Sequence, residues 1–416
     1  MTTATPDTGA TPALKPYLRL LTATQFAFNT GFYAVLPYLA AHLGDGLGMA
    51  GWLVGLVLGL RTFSQQGLFV VGGALTDRYG PRPVVLTGCV LRIAGFCWLA
   101  QAGSTATVIG AVLLIGFAAA LFSPAVESET ARAAVAHETA TGTPRAQVLA
   151  VFSAAGQAGA FLGPLLGSLL LLLGGDFRTA CLAGAVVFVG VLAGHAKLMP
   201  HRPHRPPTAR TGAALPREVF ANRPFLVLCL AYSSYLVSYN QLYLALPAEV
   251  ERATGSQSAL GGLFALSSLL VVVAQLPLTR WSARRLPPRT ALVTGLAVVA
   301  TGFVAVPLAP DGPAGLLPAA ALVVLLTLGQ MLLVPAARGL VPDLVDDHRL
   351  GLATGALSSV SGLAVLVGSA ATGTLLDTPG AVLWTVLATV PLTGAALALT
   401  LSGGRRTPEP VTAVTD

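Results

Sequence analysis

Charge is what this sequence has least of. Only 10% of its 416 residues are Asp, Glu, Lys or Arg, where a soluble domain carries about a quarter. Water is therefore not its only solvent. A large soluble α/β protein is excluded, because its buried strands would be short and broken by polar surface. Cysteine is scarce too. Cys89, Cys97, Cys181 and Cys229 all fall in apolar segments without a framework spacing, which excludes a disulfide scaffold and a thiolate metal site. Neither metal nor cofactor is expected. A Walker-type phosphate loop is missing, which argues against an ATPase, and no catalytic cluster points to an enzyme. The first 16 residues are polar and lack the pattern of a cleavable signal peptide. The first apolar run is then its own insertion signal.

What is present is apolar length. Hydrophobic residues make up 54% of the chain, much of it in runs of about 20, enough to cross a bilayer. Lipid offers the backbone no hydrogen bonds, so such runs are helices. The spans read as roughly 17–43, 49–73, 83–101, 105–130, 147–173, 177–199, 222–248, 258–280, 289–309, 314–337, 349–375 and 380–402. An even number puts both termini on one side. If that side is cytoplasmic, twenty of the 24 Lys and Arg residues lie there or in inner loops, and only Arg178 and Arg252 lie outside. That bias is the positive-inside signal, and it accounts for the net charge of +7. A nucleic-acid partner would need those charges on one soluble face. The expected location is the cell membrane, multi-pass, with cytoplasmic termini.

The long inner segment "KLMPHRPHRPPTARTGAALPREVFANRP" divides the chain in two. The expected organisation is a disordered tail at 1–16, a six-helix bundle at 17–199, a linker at 200–221, a second bundle at 222–402 and a disordered tail at 403–416. The halves repeat. "YAVLP" (Tyr33 to Pro37) matches "YLALP" (Tyr243 to Pro247), and "SPA" (Ser123–Ala125) matches "VPA" (Val334–Ala336). The loop holding Asp77 has a counterpart at 278–289, and all separations lie near 205–211 residues. Two like halves around a central site is a transporter architecture. The expected fold class is an all-α membrane protein of 12 transmembrane helices in two pseudo-symmetric six-helix bundles.

The turn "GGALTDRYGPRP" lies between the second and third spans. It resembles the major facilitator superfamily signature G-x-L-x-D-R-x-G-R-[RK], with Gly73, Leu75, Asp77, Arg78, Gly80 and Arg82 in place and Pro81 departing from it. The resemblance implies that Asp77 faces the positive end of the eleventh span, near Gly351. Arg78 and Arg82 are expected to pair with Glu127 or Glu129 as a latch. In the fifth span, "GAFLGPLLG" sets Gly159, Gly163, Pro164 and Gly167. Small residues at this spacing let helices approach closely, and the pattern resembles the antiporter motif of drug:proton exporters. "GLRTFSQQGLFVVGGALTDRYGPRP", "LRIAGF" and "DFRTACLAGAVVFV" are similar to the MdtH-type branch of multidrug transporters, mainly over residues 51–199.

Two arginines lie deep in apolar runs. Arg61 and Arg92 would each cost ~2.5–3.5 kcal/mol at a bilayer centre, so both are expected to face the bundle interior. Either would bind an anionic group or steady a polar network with Gln65. No acid lies near the middle of any span, and Glu127 and Glu129 are the nearest candidates to carry a proton. Tyr232, Tyr235, Tyr239 and Tyr243 form one stripe on the seventh span, and Phe26, Asn29 and Tyr33 form a shorter one on the first. In the family fold both spans line the cavity. Aromatic walls carrying hydroxyls suit planar amphipathic molecules, and Gln330 is a weaker polar candidate. The resulting expectation is a monomeric transporter exporting small amphipathic compounds against protons. The alternative is an importer or facilitator of a small anionic organic solute.

Overall fold

The computed structural model describes residues 11–143, 145–173, 175–200, 222–308, 313–345, 350–376, 378 and 380–401. The linker expected at 200–221 and the tail at 403–416 fall almost wholly outside them. Fourteen α-helices and no strand occur among the described residues. In chain order they are α1 (Thr11–Tyr33), α2 (Leu36–Ala41), α3 (Gly51–Gln66), α4 (Phe69–Tyr79), α5 (Pro81–Leu99), α6 (Thr105–Thr141) and α7 (Arg145–Leu172). There follow α8 (Phe177–Leu198), α9 (Arg223–Thr254), α10 (Ala259–Arg285), α11 (Pro288–Ala305), α12 (Leu316–Leu344), α13 (Leu350–Leu375) and α14 (Gly380–Leu399). The pair α1 and α2 makes the first span and α3 and α4 the second, which gives the twelve expected from the sequence.

Ten of these spans are long and apolar enough to cross a membrane by composition alone. The two that are not are α1 and α9, the same helices that carry the polar and aromatic stripes. Their polarity is tolerable because neighbours cover it: Ser233, Ser238, Asn240 and Gln241 of α9 are all buried in protein. Two boundaries differ from expectation. Helix α1 starts at Thr11, so residues 11–16 are helical and not part of a tail. Helix α6 runs on past the expected end at 130 to Thr141, because the alanine-rich stretch after Thr130 favours helix without being apolar enough to read as a span.

Glycine decides how the spans join. Gly80 takes φ 84° between α4 and α5, a conformation that side chains with a Cβ avoid, and Pro81 then opens α5 with its fixed φ. The face of the molecule that holds this turn and the start of α1 is called the terminal side below, and the opposite face the distal side. Within the first half α7 lies against α1. A Cβ at Gly159 would strike the Phe26 carbonyl, and one at Gly163 would lie 2.8 Å from the Thr30 carbonyl oxygen and 2.8 Å from Tyr33 Cβ. Gly167 meets the Ala34 carbonyl in the same way. Three glycines at four-residue spacing thus seat one helix on the backbone of another.

The halves meet along two symmetric seams, α3 on α13 and α7 on α10. In the first, Gly51, Gly55 and Gly59 abut Gly373, Ser369 and Leu366. In the second, Gly261 abuts Ser168 and the Pro164 carbonyl. Helix α3 lies against α13 along its length, whereas α4 touches it only lightly. The cysteines are all free, with Cys89, Cys181 and Cys229 buried in the core.

Candidate functional site

The middle of the bundle is polar where the halves meet. Arg61 on α3 is 7% exposed. It donates from Nη2 to Gln65 Oε1 at 2.6 Å and from Nη1 to Thr62 Oγ1 at 3.4 Å. The Thr62 hydroxyl donates across the seam to Asn240 Oδ1 at 3.2 Å, and Asn240 Nδ2 donates to Ser369 Oγ at 2.8 Å. One chain of hydrogen bonds therefore joins α3, α9 and α13. The Arg61 guanidinium also lies 4.5 Å from the centroid of the Phe32 ring.

The tyrosine stripe stands beside this cluster. Successive ring centroids of Tyr232, Tyr235, Tyr239 and Tyr243 are 5.7, 5.9 and 5.9 Å apart. The Tyr243 hydroxyl donates to that of Tyr239 at 3.4 Å, and Tyr33 of the other half hydrogen-bonds Tyr239. Tyr33, Tyr239 and Tyr243 are the hydroxyls closest in charge terms to Arg61. The structure thus brings together Tyr33, Arg61, Gln65, Tyr239 and Tyr243. Tyr33 and Tyr243 hold equivalent places in the two repeats.

A cavity of about 630 Å³ opens between α1 and α7 toward the terminal side. Phe26, Thr22, Val148 and Val151 line it, with Arg19 and Gln147 as its polar fringe. Its size is that of a drug-sized ligand site. Asn29 is half-buried on the same helix and donates to the Gln25 carbonyl at 2.9 Å. Gln330, half-buried on α12, does not belong to the hydrogen-bonded cluster. On the distal side a smaller cavity of about 260 Å³ lies between the halves, with Asp45 from one and Glu251 from the other. Burial raises the Asp45 carboxyl above its ordinary range, and the Glu251 charge raises it further.

Several expected roles change. Arg92 does not reach the cavity. It is 1% exposed and sits in a cage of Phe28, Phe32, Phe96 and Phe188, 4.9 to 5.3 Å from their centroids. Its Nη1 donates to the Ile115 carbonyl at 2.8 Å, and Nε and Nη2 have no partner. The cage forms because phenylalanines from α1, α5 and α8 converge on one point, so Arg92 is a packing residue of the first half. Arg82 donates to the carbonyls of Met199 and Ala196, each at 2.8 Å. It therefore holds the negative end of α8, as cations do at helix C-termini. Arg78 lies over its neighbour Tyr79, 5.3 Å from the ring centroid. Glu129 is buried, accepts the Tyr17 hydroxyl at 2.9 Å and pairs with Arg132 at 2.6 Å, which ties α1 to α6. The glycine that lets α4 approach α6 is Gly72, against the Ala120 carbonyl, while the space beside Gly73 is open. The side chains of Asp77 and of residues 350–352, at the start of α13 where its partner is expected, are not among those described.

Sequence reasoning also passed over His195. It is fully buried on α8, shares a 2.9 Å hydrogen bond with the Thr24 hydroxyl, and leaves Nδ1 unpaired. A lone histidine in an apolar run was its only signal. The Tyr38 hydroxyl is a second such group. It lies 2.8 Å from the Pro164 carbonyl, to which it donates, and 2.6 Å from Ser168 Oγ, so the proline of the antiporter-like motif is anchored to α2.

Two six-helix halves with a polar and aromatic seam, in a chain of membrane-crossing helices, define a membrane transporter and not an enzyme. The family model of the Major Facilitator Superfamily matches residues 20–315 and 228–415. The chain belongs to the major facilitator superfamily. It is 39% identical over 372 residues to an MFS-type transporter of Mycobacterium tuberculosis, covering 86% of this chain and 85% of that protein. It is 32% identical over 343 residues to the multidrug resistance protein MdtH of Aeromonas hydrophila, covering 80% of this chain and 83% of that one. Among solved structures, a peptide transporter POT in complex with sulfate superposes with a TM-score of 0.76 at 18% identity, over 92% of this chain and 93% of that one. The nucleoside transporter NupG does so with 0.77 at 14% identity, over 93% and 98%. At such identities these two speak for the fold alone.

Proposed function

We propose that the protein exports small amphipathic compounds by alternating access between its halves, driven by proton influx, from a cell membrane in which both termini are cytoplasmic. The observation that carries this reading is the tyrosine stripe of α9, which meets Tyr33 and Arg61 of the opposite half at mid-bundle. Flat aromatic walls with hydroxyl tips bind molecules that are part apolar and part polar. The α1–α7 cavity supports the reading, since it is apolar and opens on the side that would take up a cytoplasmic compound. Relatives named multidrug resistance protein MdtH support it as well.

The test uses inside-out vesicles with an acid interior and a pH-sensitive dye. Cationic, zwitterionic and anionic amphipaths are added in turn. Proton efflux triggered by one class and absent from vesicles lacking the protein supports antiport. The second reading, a facilitator of a small anionic solute, is favoured by Arg61, which is buried at the seam without a carboxylate partner among the described residues. Labelled anion uptake that ignores the gradient and is lost in Arg61→Gln would establish it in place of export.

A further inference from the structure

Glu127 and Arg338 hold the same place in the two halves. Ser123-Pro124-Ala125 and Val334-Pro335-Ala336 align at a separation of 211 residues, and the same step carries Glu127 onto Arg338. A pseudo-two-fold axis sets equivalent positions of two repeats opposite one another. The duplication has thus placed an acid and a base at facing positions, each three residues beyond a proline. Both side chains are exposed, and Arg338 is the charge that Glu127 senses. Arg338 also hydrogen-bonds the Tyr232 hydroxyl, at one end of the aromatic stripe. The ion pairs described are Glu129–Arg132 and Glu249–Arg252, so in this structure Glu127 and Arg338 stand apart across a terminal side where α4 and α13 barely meet.

We propose that Glu127 and Arg338 form a proton-operated gate on the terminal side. Ionised Glu127 pairs with Arg338 and draws α6 and α12 together, which closes that side. A proton taken by a Glu127 carboxylate oxygen abolishes the pair and lets the halves part. The proton arrives from water on the distal side while that side is open and leaves to water on the terminal side. Only an O–H bond forms and breaks. The direction of this cycle rests on the export reading; the gate itself does not.

Among the described residues, the other charged groups on α6 and on α3, α4 and α5 have contacts of their own. On its own helix Glu129 holds Arg132 and Tyr17. From α3, Arg61 is held by Gln65. From α4, Arg78 lies over Tyr79, and from α5, Arg82 caps α8 and Arg92 fills its cage. Across the seam, among the described residues, Arg338 is the charge that acts on Glu127, and it also bonds Tyr232. Glu127 is thus the acid in this region whose charge is open to an inter-half partner.

The test needs no substrate. Spin labels are placed at Ala131 and Gly339, both exposed, in a background carrying Cys97→Ala, and the distance between them is measured in lipid nanodiscs from pH 8 to pH 5. The expected result is a short distance favoured at pH 8 and a long one at pH 5. The ratio should change about fivefold, as for an ion pair worth about 1 kcal/mol. Glu127→Gln and Arg338→Gln should each hold the long distance at both pH values, with unfolding temperatures like the parent's. A pH response that survives in Glu127→Gln, or a short distance that persists in Arg338→Gln, overturns the gate. If the export reading fails instead, the vesicle assay stays silent while the distance change remains.

Discussion

Replacing Gly163 by alanine tests the seating of α7 on α1. The added Cβ would lie 2.8 Å from the Thr30 carbonyl oxygen, 2.8 Å from Tyr33 Cβ and 3.2 Å from the Ala34 amide nitrogen. Two of the three neighbours are backbone, so no side chain can swing aside and the helices must separate. Overpacking of this kind costs about 1–3 kcal/mol. The same change favours the helix by about 1 kcal/mol, because alanine loses less backbone freedom than glycine. The net expectation is a loss of up to about 2 kcal/mol. Gly190 on α8 supplies the control, since a Cβ there meets nothing within 4 Å. Gly190→Ala should gain up to about 1 kcal/mol, so the two variants should differ by about 1–3 kcal/mol. Thermal unfolding in one detergent, read by fluorescence of a thiol probe, measures the difference. Transport by Gly163→Ala should fall as well, since Tyr33 is displaced from Tyr239. Equal unfolding temperatures for the two variants would refute the claim that this motif works by close backbone approach.

Two further outcomes follow from the site. Arg92→Gln should lower stability by about 2 kcal/mol, the worth of a desolvated cation over aromatic rings, yet leave the KM of any transported compound unchanged; a KM shift without loss of stability would return Arg92 to the binding site. Asp45→Asn should raise the unfolding temperature at pH 7 by removing like charge facing Glu251. Because the Asp45 carboxyl titrates above its ordinary range, its charge penalises the closed distal side above that value and the penalty fades as pH falls. The gain from Asp45→Asn should therefore vanish near about pH 4, and a gain that is constant with pH would show another cause.

The spans were legible because apolar length is a property of the chain itself, and Gly80 was legible because only a residue without a Cβ suits a turn that tight. The depth of Arg61 could be counted along its helix. What could not be read were meetings between helices. The cage around Arg92 needs phenylalanines far apart in sequence, so depth alone suggested a ligand site. The bonds from Arg82 to the end of α8 join residues more than 110 apart in sequence, which no local pattern records. Glu127 and Glu129 are near neighbours in sequence, yet one is sealed against Tyr17 and the other stands open toward Arg338. The 211-residue step that relates Glu127 to Arg338 was present in the repeat, but a repeat says which positions correspond and not that they carry opposing charges across a gap.

The two guanidiniums of Arg61 and Arg92 lie close enough to repel each other, with no acid beside either among the described residues. Together they make the centre of the first half a region of positive potential. At roughly 10 Å and an effective dielectric near 20, one such charge opposes a second positive charge by about 1.7 kcal/mol. A quaternary ammonium dye would enter at a disadvantage there, and a compound bearing a carboxylate would gain as much. If a cargo passes this region, its sign is weighed before any pocket measures its shape.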